Sequence, residues 1–173
     1  MTRNYFELFE LEAKFNIELT TLERNFRKMQ SESHPDRFVT ASSAEKLQSM
    51  QIATLANEAY LTLKSPAMRA AYLLGLQGIV AISETNTTMP VTFLMQQMEW
   101  REQLEDAKQA RDIAAIEALE RELKTEAKHL QAEFRTQFDE KKDYETATDI
   151  AKKLIFIDKV SADITHTIDA LDA

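Results

Sequence analysis

His34, Pro35 and Asp36 stand side by side in "SESHPDRF", residues 31–38, and are the side chains of this chain best suited to chemistry. A histidine next to a carboxylate can act as a general base, but catalysis also needs a nucleophile or a metal partner. The other two histidines, His129 and His166, lie far along the chain without ligand-like spacing. The sequence contains no phosphate-binding glycine loop, H-E-x-x-H motif or nucleophile elbow. A catalytic pair is therefore the least favoured of three interpretations, and a plain turn and a contact site for another protein remain open.

The tripeptide separates two segments with helical periodicity. Residues 17–33 carry one apolar stripe, with Thr20 or Thr21 as the predicted N-cap, and Pro35 ends this helix because it disfavours a helical conformation at the preceding residue. Residues 40–64 predict a second helix that begins at Ser42 or Ser43. The predicted buried positions are Leu19, Leu22, Phe26 and Met29 on the first helix and Leu47, Met50, Leu55, Ala59, Tyr60 and Leu63 on the second.

An antiparallel hairpin of these two helices would leave the tripeptide protruding at its tip, away from any core. Four cations lead to this tip, and we call them the basic strip: Arg24, Arg27, Lys28 and Arg37. Such a strip is most often an ordinary solvated face. Its position beside an exposed tip favours a contact site for another protein.

The composition predicts an all-α protein without a metal or cofactor. Only two glycines and three prolines occur in 173 residues, which favours uninterrupted helices. The net charge of −8 argues against general nucleic-acid binding, and the absence of cysteine excludes disulfides and cysteine-ligated zinc or iron–sulfur sites. The first residues do not resemble a secretory signal, and no stretch approaches the roughly 18 apolar residues of a membrane span. We therefore expect a cytoplasmic protein that does not bind membranes.

The positions of capping residues, prolines and glycines along the chain predict two domains. Asn4 can cap a very short helix in "NYFELFEL", and Ser65 with Pro66 is a typical start for a helix that ends near the two glycines. We predict a first domain over residues 1–76, a linker over 77–90 and a second domain over 91–173. Helices at about 91–108, 111–140 and 143–171 would form an antiparallel three-helix bundle. Its predicted apolar stripes are Ile113, Ile116, Leu123, Leu130, Phe134 and Phe138 on the second helix and Ala147, Ile150, Leu154, Ile157, Ile164, Ile168 and Leu171 on the third.

The first bundle helix carries more apolar side chains than one buried stripe can use. Phe93, Gln97, Trp100, Leu104 and Ala107 follow a helical spacing that would face the bundle. Leu94, Met95 and Met98 lie about 100–200° away from it, and Glu99, Glu102, Glu105 and Asp106 surround them. Phe156 falls outside the stripe of the third helix in the same way. These residues either pack against the first domain or the linker, or form an exposed, acid-rimmed patch for a partner.

Several segments together resemble a known family. "YFELFEL", the basic helix, "HPDRF", "NEAYLTLKSP" and "MRAAYLL" are similar to a J-domain, the module through which DnaJ-type co-chaperones act on the ATPase of a DnaK-class chaperone. "MRAAYLLGLQG", "FLMQQMEWREQLEDA" and "KKLIFIDKV" narrow the resemblance to the HscB family, the J-proteins of iron–sulfur cluster assembly. The resemblance covers nearly the whole chain and implies an L-shaped, two-domain helical protein. Ser33 departs from the family, which usually has an aromatic residue before the tripeptide.

The resemblance also implies a function and two binding sites. The protein would perform no reaction of its own, and it would bring an iron–sulfur scaffold protein to the chaperone and stimulate the chaperone's ATPase. By the family motif, His34, Pro35, Asp36 and the basic strip would bind the chaperone. The scaffold would bind Leu94, Met95, Met98, Glu99, Glu102, Asp106 and Phe156. A J-domain co-chaperone with a different client, or a passive helical adaptor, are the alternatives.

Overall fold

The computed structural model describes residues 3–81 and 88–173, and all regular secondary structure within them is helical. These residues cluster into two compact units that meet between Leu73 and Leu74. The predicted linker, 77–90, includes residues 82–87, which lie outside the described residues. In the part of the chain that the structure describes, no helix is long and apolar enough to cross a membrane.

The first unit is built on a helical hairpin. Its helices are α1 (Tyr5–Leu8), α2 (Leu19–Glu32), α3 (Ser43–Lys64) and α4 (Pro66–Leu76), and α4 continues past the boundary between the units. A short 3₁₀ helix, Pro35–Phe38, joins α2 to α3. The ring of Phe26 stacks on Tyr60 with centroids 4.1 Å apart, and Met29 and Ser49 line one cavity nearer the tip. The two helices are therefore antiparallel.

The predicted helix starts are largely confirmed. The side chains of Asn4, Ser42 and Ser65 accept hydrogen bonds from backbone N–H groups three residues ahead, at 2.8, 3.2 and 3.3 Å. The predicted cap of α2 is wrong, because Thr20 and Thr21 both lie inside the helix. The cap position is Glu18, whose carboxylate accepts a hydrogen bond from the Thr21 hydroxyl at 3.0 Å.

α1 and α4 are joined by aromatic contacts within the first unit. Tyr5 stacks on Tyr72 with ring centroids 4.5 Å apart, and the Tyr5 backbone N–H donates to the Tyr72 hydroxyl at 2.8 Å. Burial, followed by the Glu58 carboxylate, raises the pKa of the Tyr5 phenol. Phe6 and Phe9 are fully buried and carry α1 into the core of the unit.

The core face of α3 differs from the prediction. Leu47 and Met50 are 57% and 62% exposed, whereas Ser49, Ala56, Ala59 and Leu63 are buried. Leu47 and Ala56 are nine residues apart, which places them on opposite sides of the helix. The inward face of α3 thus includes small side chains together with Leu63, whereas Leu47 and Met50 face outward. Two further predicted core residues, Leu19 and Leu55, are also exposed.

The second unit contains three long helices: α5 (Val91–Gln109), α6 (Ile113–Arg135) and α7 (Tyr144–Asp172). Trp100 donates from its indole N–H to Glu122 of α6 at 3.3 Å, and Phe93 of α5 contacts Phe156 of α7. The apolar stripes are confirmed, except that Ile113, Ile168 and Leu171 are only half-buried. Leu119, which the sequence analysis omitted, is buried as well.

The two turns of the bundle have distinct caps. Asp112 and Asp143 cap α6 and α7 by accepting from backbone N–H groups at 3.1 and 3.2 Å. Arg111, between α5 and α6, has a positive φ of 53°. Residues Thr136–Glu140 form a π-helical turn at the end of α6, where Phe138 stacks on Phe134 with centroids 5.3 Å apart. These turns bring three helices into one bundle in which neighbours along the chain run antiparallel.

Candidate functional site

The tripeptide lies in an open loop at the tip of the α2–α3 hairpin. α2 ends at Ser33, whose backbone N–H donates to the Met29 carbonyl at 3.0 Å, and His34 is extended with ψ 137°. Pro35 then begins the 3₁₀ helix, as its fixed φ and missing N–H allow at a first helical position. The side chains of His34 and Asp36 are 56% and 88% exposed. The predicted position at a hairpin tip is therefore what the structure shows.

The geometry of His34 and Asp36 suits recognition better than proton transfer. The Asp36 backbone N–H donates to His34 Nδ1 at 3.2 Å, so Nδ1 acts as an acceptor and the proton of the neutral ring lies on Nε2. The Asp36 carboxylate is 3.6 Å from the same Nδ1 and accepts no proton from it in this tautomer. An exposed carboxylate and an exposed Nε2–H can instead bind groups of another protein, the carboxylate most strongly an arginine.

The basic strip lies on the outer side of α2. All four of its side chains are exposed, and Arg24, Arg27 and Lys28 point away from the buried Leu22. Arg27 pairs with Glu23 at 2.7 Å, which offsets part of its charge. Arg37 is also exposed, in the 3₁₀ helix beside the tripeptide. The structure thus places a positive surface next to the tip of an otherwise acidic protein.

A cavity of about 510 Å³ opens beside this loop. Ser33 is buried at its wall and donates its hydroxyl to the Met29 carbonyl at 2.9 Å, while Phe38 and Ile52 supply apolar surface. Two small residues, Ser33 and Ser49, leave the space between the helices unfilled. Periodicity gave no sign of this cavity, because it depends on side-chain volume rather than on spacing.

A second candidate surface is the outward face of α5. Met95 and Met98 are 65% and 71% exposed, and Leu94 is also exposed. The predicted acidic positions Glu99, Glu102 and Asp106 are exposed in the following turns. The apolar half of this face therefore lies towards the N-terminal end of α5 and the acidic half towards its C-terminal end. Val91, which the sequence analysis did not include, is exposed on the same side, three residues before Leu94.

Phe156 lies at the edge of this face but is not freely exposed. Its half-buried ring meets Phe93 edge to face, with centroids 6.0 Å apart. The Arg101 guanidinium lies 5.3 Å from the centroid of the ring and pairs with Asp163 at 3.1 Å. Phe156 thus packs between α5 and α7 of its own bundle. This packing differs from both predicted alternatives, which were packing against the first domain or the linker and full exposure.

The structure holds the predicted site residues in two groups, one in each unit. Among the described residues, no group of three His, Cys, Asp or Glu side chains could hold a metal ion. The group in the first unit consists mostly of exposed charged side chains, and the group in the second unit combines exposed charge with exposed or half-buried apolar side chains. Surfaces of the second kind occur at protein–protein interfaces.

Comparisons with known proteins point to one family. Residues 89–165 match the family model described as the HSCB C-terminal oligomerisation domain. The co-chaperone protein HscB homolog of Burkholderia thailandensis is 44% identical over 169 residues, which cover 98% of this chain and 96% of that relative.

Solved structures show the same fold. The chaperone HscB from Vibrio cholerae matches with a TM-score of 0.84 and 38% identity, covering 98% of this chain and 99% of that one. Human co-chaperone protein HscB matches with a TM-score of 0.87 and 32% identity, covering 95% and 81% of the two chains. The all-α fold of a J-domain followed by a helical bundle is confirmed, and the chain belongs to the HscB family of co-chaperones.

Proposed function

We propose that this protein is a J-type co-chaperone of iron–sulfur cluster assembly. It binds the cluster scaffold protein, delivers it to a specialised DnaK-class chaperone and stimulates the ATPase of that chaperone. The cytoplasmic location predicted from the sequence belongs to the same proposal. The observation that carries it is the open tip, where His34 and Asp36 are exposed beside the basic strip.

The tip would act by binding one state of the chaperone better than another. Pro35 restrains the backbone between the two functional side chains. The Asp36 carboxylate lies near His34 but remains 88% exposed, and it can accept a charge-assisted hydrogen bond from a partner arginine. A partner that binds the hydrolysing state preferentially shifts the population towards that state. On this proposal the protein performs no reaction itself.

The outward face of α5 would bind the scaffold. Its exposed methionines can adapt to a partner surface because their side chains are long and flexible. The acidic turns beyond them favour a partner that presents basic residues beside an apolar patch. Phe156 would contribute a ring that Phe93 and Arg101 hold in place before the scaffold arrives.

The proposal is tested by the rate of ATP hydrolysis of the chaperone, measured with this protein and scaffold added separately and together. We expect stimulation by the protein alone and more with scaffold. His34→Gln or Asp36→Asn should abolish both, while the matched control Asp169→Asn, at an exposed position of α7, should stimulate like wild type.

Each rival function gives a different result in the same assay. If His34→Gln and Asp36→Asn stimulate like wild type, the co-chaperone proposal fails and a passive adaptor is favoured. If the protein stimulates but scaffold adds nothing and does not bind, a J-domain co-chaperone with a different client is favoured. Turnover by the isolated protein without chaperone would point to an enzyme.

A further inference from the structure

Lys152 is the one buried lysine among the described residues, with only 5% of its surface exposed. Its ammonium group donates to the Thr88 carbonyl at 3.0 Å. Burying an ammonium group is costly unless it is hydrogen-bonded, and the Thr88 carbonyl supplies one such hydrogen bond. It ties the segment in front of α5, residues 88–90, to α7.

A second contact ties the same segment to α5. The Gln97 side-chain amide lies 3.2 Å from the Met89 sulfur, a weak hydrogen bond, and Met89 is half-buried. Thr88 and Met89 are therefore attached to two different helices. Pro90 follows them and occupies the N-cap position of α5. We call residues 88–90 the anchor segment.

The start of α5 differs from the starts of the other two bundle helices. Asp112 and Asp143 cap α6 and α7 with their side chains, but α5 has no side-chain cap hydrogen bond, because proline has no acceptor to offer. The carbonyl of Pro90 accepts from the N–H groups of Phe93 and Leu94 at 3.0 and 3.1 Å. An uncapped first turn tends to fray. The anchor segment lies directly before this first turn.

The first turns of α5, which lack a side-chain cap, carry the apolar half of the proposed scaffold surface. The Leu94 backbone N–H donates its helical hydrogen bond to the carbonyl of Pro90 itself, and Met95 follows Leu94 in the chain. On α7, Lys152 lies one turn before Phe156 on the same face. Phe156 in turn packs against Phe93 of the first turn of α5. The anchor and the proposed surface are thus joined through the same two helices.

We propose that Lys152 is a positioning residue for the scaffold surface. By holding the anchor segment, it restrains the start of α5, which has no side-chain cap, and keeps Leu94 and Met95 in register with Phe156. Lys152 does not itself contact the scaffold. This inference rests on the proposed function of the α5 face.

The test compares Lys152→Met with Lys152→Arg in the full-length protein. The methionine fits the same space without a donor, and the arginine retains one. Lys152→Met should weaken scaffold binding about fivefold, the size of one N-cap contribution, and should speed hydrogen exchange of the amides at 92–95. Lys152→Arg should bind like wild type. Lys159→Met, at an exposed position of α7, is the control and should change neither.

A rescue variant separates positioning from a general loss of structure. Pro90→Asp supplies a side-chain cap, so adding it to Lys152→Met should restore both scaffold affinity and slow exchange. If Lys152→Met does not fold, Gln97→Leu removes the second contact of the anchor segment at a half-buried position. This variant should also weaken scaffold binding and speed hydrogen exchange at 92–95, but by less.

Failure of the role assigned to Lys152 can be distinguished from failure of the proposed function. Wild-type protein that fails to bind scaffold contradicts the proposed function, and hydrogen exchange still tests whether Lys152 holds the start of α5. Wild-type affinity in Lys152→Met, unchanged exchange at 92–95, or no recovery with Pro90→Asp would each overturn the role assigned to Lys152.

Discussion

Met95 and Met98 differ from Phe156 in how much folding stability they supply, and this difference allows affinity and stability to be separated. Both methionines are mostly exposed, so the double change Met95→Ala with Met98→Ala removes little packing. The free energy of unfolding should change by less than about 0.5 kcal/mol, as is usual for surface positions. Scaffold affinity should fall at least tenfold, since apolar anchors at the centre of an interface contribute about 2 kcal/mol or more at the best positions.

Phe156→Ala should lower both quantities. Its edge-to-face pair with Phe93 is worth about 0.5–1.5 kcal/mol, and the Arg101 cation over its face about 0.5–1 kcal/mol. The expected loss of stability is therefore about 1–2.5 kcal/mol. For a unit of this size, each kcal/mol corresponds to a shift of about 4–8 °C in the melting temperature.

The assay is isothermal titration calorimetry with the scaffold protein, alongside chemical and thermal unfolding of each variant. Met50→Ala with Leu61→Ala is the matched control, because both side chains are similarly exposed but lie on α3 of the other unit. This control should bind scaffold like wild type. Unchanged scaffold affinity in the methionine variant, or a loss of stability as large as that of Phe156→Ala, would refute the roles assigned to these side chains.

Three further predictions concern charge and turn geometry. Chaperone affinity should fall steeply as salt is raised from 0.05 to about 0.3 M, because the exposed basic strip is screened over a Debye length of about 10 Å or less, and scaffold affinity should fall less; equal slopes would contradict the assignment of the two surfaces. Hydrogen bonds from Thr146 hold the pKa of Asp143 below that of a free carboxyl group, so its contribution to stability is present above the unfolded-state pKa and lost as pH falls through the folded-state pKa; Asp143→Asn should flatten the decline of melting temperature in acid. Arg111→Gly should stabilise the protein by about 0.5–1 kcal/mol in denaturant unfolding, because φ 53° suits glycine at the end of a helix.

The helix boundaries were predictable wherever one local interaction decides them. Asn4, Ser42 and Ser65 each satisfy a backbone N–H three residues ahead, and that requirement can be recognised from residue type alone. Pro35 ended α2 for an equally local reason. The N-cap at Glu18 was missed because its side chain caps no backbone N–H, so it leaves no sequence signal of that kind.

The candidate sites were predictable in position and only partly in environment. The exposure of His34 and Asp36 followed from a proline between two helices. The neighbours of Phe156 could not be predicted, because helical periodicity fixes the direction of a side chain but not the residues it contacts. Arg101 and Lys152 look like ordinary surface cations in the sequence. Their contacts depend on how α5 and α7 pack, and pairing between distant segments has no signature in a single sequence.

α3 shows why apolar periodicity alone assigned the wrong face. Apolar residues occur on more than one side of this helix, and the larger ones were assigned to the core. The structure buries Ser49 and Ala56 instead, and leaves Leu47 and Met50 exposed. Large side chains face inward as well, since Leu63 is fully buried and Tyr60 stacks on Phe26 of α2 with centroids 4.1 Å apart. Hydrophobicity alone therefore did not decide which side of α3 faces inward. Ser49, one of the small buried side chains, also lines the cavity beside the tripeptide, so one packing choice shapes both the core of the first unit and this cavity.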